Sequence, residues 1–82
     1  MKNEIKWKGY TIVRFVVARD MDGDAIVGEY DNLKEAQEAH RGDYVYYEYG
    51  AAEVINKDGD VNPAVYGATL KEATDKLKKL LP

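Results

Sequence analysis

The sequence predicts an α+β domain of ββαββα order, a four-stranded antiparallel-rich sheet with two helices on one face. Three observations carry this expectation. The chain repeats itself, each copy places Asp-Gly between β-rich runs, and each copy ends in a helical stretch with a capping residue. Asp22-Gly23-Asp24 recurs as Asp58-Gly59-Asp60, and Leu33-Lys34-Glu35-Ala36 recurs as Leu70-Lys71-Glu72-Ala73. The spacings are 36 and 37 residues, so one inserted residue aligns the copies. The 82 residues then form one domain with internal repeats at approximately 10–42 and 44–82.

Each element has a local reason. The runs 10–19 and 44–55 are rich in valine, isoleucine, tyrosine and phenylalanine, which fit a pleated, half-buried surface. Asp22-Gly23 and Asp58-Gly59 follow them, and Asp-Gly suits a two-residue type I′ turn. Shorter runs return at 25–30 and 61–66. Asn32 with Glu35, and Thr69 with Glu72, have capping-box spacing. The first helix is expected over about 33–41, with Gly42 after its end, and the second over about 70–81. Leu70, Ala73, Leu77 and Leu80 or Leu81 give the second helix the better apolar stripe. Numbered along the chain, the four expected strands take the order 2-1-3-4. The long, apolar runs lie in the middle, and Pro63, which lacks an N–H, lies on an edge. Gly50 interrupts the long third run and is expected to mark a bulge or a turn.

Composition removes several chemistries. The chain has no cysteine and no serine, and a single histidine, His40. Disulfides, thiolate ligands, nucleophilic cysteine, serine triads and histidine-rich metal sites all need residues this chain lacks. Asp20, Asp22 and Asp24 alternate, as do Asn56, Asp58, Asp60 and Asn62, but glycine falls at the fourth place of each run and no glutamate stands at the twelfth, against the EF-hand pattern. No glycine-rich phosphate loop is present, and no pair of acids is spaced for acid–base work. The expectation is a non-enzymatic protein without cofactor or metal. Arg41-Gly42-Asp43 reads as a helix end turning into a strand.

Charge and aromatic residues point to binding. Net charge is −3, with residues 9–70 strongly acidic and lysines gathered at both ends. Four of the seven tyrosines fall at 44–49. On a strand Tyr44 and Tyr46 share one face, and Tyr47 and Tyr49 the other. The 10–19 run is apolar on both faces, so the second face is either partly covered or meets a partner. The first hypothesis is a small acidic cytoplasmic protein-binding module or inhibitor, of the kind by which phage or plasmid anti-defence proteins block basic surfaces. Tyr44, Tyr46, Glu48, Glu53 and Arg14 are its contact residues. The second is a nucleic-acid-binding domain using sheet tyrosines, Arg14, Arg19 and the terminal lysines, disfavoured by the acidic balance. The third is a homodimer paired through a sheet face or edge. No apolar run reaches membrane-spanning length, and no membrane partner is expected.

Overall fold

In the computed structural model, which describes residues 3–54 and 64–81, the chain forms a five-stranded antiparallel sheet and two helices. The elements are β1 (Asn3–Trp7), β2 (Tyr10–Asp20), β3 (Ile26–Tyr30), α1 (Leu33–Ala39), β4 (Val45–Val54), β5 (Val65–Gly67) and α2 (Leu70–Leu80). The class is α+β, as the sequence predicts. The observed order is βββαββα, however, because the charged segment Asn3–Trp7 is also a strand.

β2 and β4 are the spine. They pair along their whole length, from Thr11↔Val54 to Asp20↔Val45. The other edge of β2 is shared. β1 occupies its first half, from Asn3↔Arg14 to Trp7↔Tyr10. β3 occupies its second half, from Val16↔Tyr30 to Arg19↔Ile26. β5 pairs with the far edge of β4 at Tyr49, Gly50 and Ala51. The four expected strands become β2, β3, β4 and β5, paired β3-β2-β4-β5, but the sheet has five strands rather than four, with β1 lying end to end with β3 along β2.

β1 exists because of its turn. Lys8 and Gly9 both take positive φ, 49° and 82°, which is what a two-residue hairpin joining Trp7 to Tyr10 needs. The type I′ turn expected at Asp22-Gly23 is not formed. There Asp20 N–H donates to Ala25 O at 2.8 Å, Asp24 N–H to Asp20 O at 2.6 Å, and Asp22 N–H to the Asp20 carboxylate at 2.9 Å. The left-handed residue is Asp24, φ 56°. A longer loop held by an aspartate side chain replaces the tight turn, because aspartate tolerates that conformation and supplies its own acceptor. The second Asp-Gly, at 58–59, lies outside the described residues, as does Pro63.

Gly50 is neither bulge nor turn. The β2–β4 register runs unbroken through Phe15↔Gly50. The bulge lies between β2 and β3, where Val27 is the extra residue between Gly28↔Ala18 and Ile26↔Arg19. Gly50 is needed for space: a Cβ there would lie 2.5 Å from Phe15 Cε2 and 2.6 Å from Cζ.

Period-two alternation sorts the side chains onto two faces. Even-numbered β2 residues and odd-numbered β4 residues share the helix face. There Ile12 and Ala51 pack with Ala73 and Leu77 of α2, flanked by Ile5, Trp7 and Val65. The opposite face holds a smaller cluster of Phe15, Val17 and Ala52, flanked by Ala64 and Tyr66. Phe15 and Tyr66 meet edge to face, 6.2 Å between centroids.

Both helices begin as their caps dictate. Asn32 Oδ1 accepts from Glu35 N–H at 2.8 Å, and Thr69 Oγ1 from Glu72 N–H at 3.1 Å. Each glutamate reaches past the cap to the residue before it: Glu35 accepts from Asp31 N–H and Glu72 from Ala68 N–H. α1 ends at Ala39, two residues before the expected position 41, with His40 as its C-cap. α1 buries only Ala36, whereas α2 buries Ala73, Thr74 and Leu77. Thr74 satisfies its hydroxyl by donating to Leu70 O at 2.7 Å.

Candidate functional site

The five expected contact residues do not converge. Tyr46 and Glu48 are even-numbered on β4 and pair with Arg19 and Val17, so they project from the helix-free face. Glu53 and Arg14 lie on the helix face, opposite Ile12 and Ala51. Glu53 is only 4% exposed and cannot meet a large partner. Tyr44 precedes β4 and is 66% exposed.

On the helix-free face Arg19 is the hub. Its Nε lies 2.8 Å from Glu48 Oε1, close enough for an ion pair though out of line for a hydrogen bond. Its Nη1 donates to Asp24 O at 3.0 Å. Its guanidinium also stacks over the Tyr66 ring at 4.9 Å. Tyr46 donates its hydroxyl to Asp24 Oδ1 at 2.7 Å. That bond, with the Asp24 and Glu48 charges nearby, pushes the Tyr46 phenol up to about 12. The 20–25 loop is therefore tied down onto β2 and β4. Arg19, Glu48 and Tyr46 are occupied within the fold.

What this tie presents was not singled out in the sequence. Met21, Ile26, Val27 and Tyr44 are 45%, 49%, 46% and 66% exposed. They gather at one end of the sheet. Met21 N–H meets Tyr44 O at 3.4 Å, and Ile26 pairs with Arg19 beside them. The bulge matters here. Regular alternation would put Ile26 on the helix face, but the extra residue returns it to the face that Val27 occupies. Three of the four lie in an acidic stretch: residues 20–32 contain Asp20, Asp22, Asp24, Glu29 and Asp31 and not one base. The sequence signal for this surface is the acid-only stretch wrapped round Ile26-Val27.

A second buttress supports Tyr44. His40 at the end of α1 faces Tyr30 Oη with Nε2 at 2.5 Å and Asp43 Oδ2 with Nδ1 at 3.1 Å. His40 thus links β3, α1 and the turn into β4. The Tyr30 ring lies across Gly28, where a Cβ would collide with it.

Among the described residues no group of three or more His, Asp or Glu is placed to hold a metal ion. A shallow depression along the outer face of α2 is lined by Lys71, Asp75, Glu72 and Lys76. These charges pair with each other, Lys71 with Asp75 at 2.6 Å and Lys76 with Glu72 at 3.5 Å. The Lys71 ammonium holds the Asp75 carboxyl below the usual carboxylate range. Among the described residues no helix is long and apolar enough to cross a membrane. Comparison with protein-family models, curated proteins and solved structures finds no match.

Proposed function

We propose that this chain is a non-enzymatic protein-binding module whose docking surface is the hairpin end of the helix-free face. One observation carries the reading: four large apolar side chains, Met21, Ile26, Val27 and Tyr44, are exposed at one end of the sheet, three of them within the stretch 20–32 whose only charges are acidic. Exposed apolar groups that cluster, rather than scatter, favour association. That acidic stretch sets the partner's chemistry, an apolar patch bordered by lysine or arginine. Complementary charge would raise the encounter rate and reject acidic competitors. An inhibitor that covers a basic nucleic-acid-binding surface is one protein of this description.

Nucleic acid is the weaker reading. Arg19 is neutralised by Glu48, and Arg14 and Tyr46 project from opposite faces. Self-association through β3 is also weaker, because two copies would bring two acidic 20–32 stretches together.

The test is a paired capture from native lysate. Immobilised wild-type chain is compared with the Ile26→Ser/Tyr44→Ser variant and with Asp22→Lys. A protein retained by wild type, lost from the double variant and weakened by the charge reversal supports the surface. Identical proteins on all three would remove it.

A further inference from the structure

We propose that the gap between the two helices is a binding site for a small oxyanion, with Arg14 supplying the charge and Tyr49 a hydroxyl. This site is on the face opposite the docking surface and does not depend on it.

The helix face of β2 reads Ile12, Arg14, Val16, Ala18. Ile12 lies under α2 with Ala51 and Leu77. Val16 and Ala18 are fully buried where β2 pairs with β3, the side on which α1 packs. α1 packs on β3 and β2, and α2 on β5, β4 and β2, each against the sheet. Arg14 is therefore the one β2 side chain on this face between the two covered stretches.

One of its donors is unsatisfied. Arg14 Nε is shielded from solvent and makes no hydrogen bond. Among the described residues Arg14 also has no ion pair, in a chain with 15 acids. Arg19, by contrast, has a carboxylate, a carbonyl and an aromatic face. A shielded donor without an acceptor costs on the order of 1–3 kcal/mol. An oxygen ligand would recover that cost.

One diagonal neighbour can donate as well. Tyr49 pairs with Val16 and is the diagonal neighbour of Arg14 on the same face. It is half-buried, and its hydroxyl has no partner among the described residues, as is true of Tyr47 one step along. The hydroxyls of Tyr30 and Tyr46 are both bonded. Arginine has only donors, and a phenol can donate. The complement of such a set is a group that only accepts, through two or more oxygens: a carboxylate or a phosphate. Glu53 flanks Ala51 on the other side. It does not ion-pair with Arg14, and its charge opposes an incoming anion.

The experiment follows the Arg14 Nε–H resonance by NMR while the folded protein is titrated with inorganic phosphate and, separately, with acetate. Ionic strength is held constant with chloride. A saturable shift of the Arg14 signal, with Arg19 and Arg41 still, supports the site, and the anion that produces it identifies a phosphate or a carboxylate ligand. Tyr49→Phe should weaken binding about fivefold, the loss of one hydrogen bond. Glu53→Gln should tighten it, a change that a merely structural arginine would not show. An Arg14 signal unmoved by both anions, or one that moves together with Arg19 and Arg41, would overturn the proposal.

Discussion

Replacing Gly50 with alanine tests the packing of the helix-free face in one atom. The backbone of Gly50 has an ordinary φ, since among the described residues only Gly9 and Gly42 are left-handed glycines. On conformational grounds alone alanine would stabilise by about 0.4–1 kcal/mol, through a less free unfolded chain. Space decides otherwise. The new methyl would sit 2.5 Å from Phe15 Cε2 and 2.6 Å from Cζ, roughly an ångström inside normal carbon contact. Phe15 is 4% exposed and braced edge-on by Tyr66, so its ring has little room to retreat. Overpacking of this kind costs about 1–3 kcal/mol, and the net effect is a destabilisation of about 1–2 kcal/mol. In a domain of this size that lowers Tm by about 4–15 °C. Urea denaturation would measure the change. The decisive comparison is Gly50→Ala in a Phe15→Leu background, where the clash is gone and alanine should be neutral or stabilising. The double-mutant cycle should return a favourable coupling of about 1–3 kcal/mol. An unchanged or raised Tm for Gly50→Ala in the wild-type background would refute this packing.

Three further outcomes are expected. In a spectrophotometric titration of the phenols, Tyr46 should ionise near pH 12 rather than at the ordinary value of about 10. Its folded-state pKa is raised, so its contribution to stability is whole below pH 10 and disappears between pH 10 and 12; Asp24→Asn should bring that late step earlier. Asn32→Ala and Thr69→Ala should each lower stability by about 1 kcal/mol in urea melts, and Gly at either position by only a few tenths, because each side chain accepts the N–H three residues on. Gly9→Ala should cost about 1 kcal/mol through its positive φ and detach β1, read as faster amide exchange at Asn3–Trp7, whereas Lys8→Asn should be neutral or stabilising.

Much of this architecture is legible in the residues, and the parts that are not share a cause. Both helix starts, Asn32 and Thr69, follow from capping spacing, a short-range rule the tertiary structure has no reason to overturn. The long strands follow from β-branched and aromatic runs. β1 escapes notice because Asn3-Glu4-Ile5-Lys6-Trp7 is charged on one face and because Lys-Gly is a weaker turn signal than Asp-Gly. Its place is fixed by Ile5 and Trp7 reaching the α2 cluster, a long-range fact. Gly50 is misread for a related reason. A glycine within a strand reads as a break when its sequence neighbours are considered, but here its role is set by a phenylalanine on the adjacent strand. Among the contact residues, sorting Tyr46 from Tyr47 and Tyr49 needs only strand alternation. Placing Arg14 and Glu53 on the opposite face from Tyr46 and Glu48 needs the β2–β4 register. The exposure of Ile26 and Val27 needs the bulge, which no local signal announces.

That register governs every assignment of a side chain to a face, because a slip of one residue would exchange the two faces of β4. Cross-strand backbone NOEs measure it directly. Contacts pairing Val13 with Ala52, Phe15 with Gly50 and Val17 with Glu48 are expected on both sides of Gly50 without interruption. A shift of one residue in the pairing on passing Gly50 would turn Tyr46 and Glu48 inward and contradict both the docking surface and the Arg14 site.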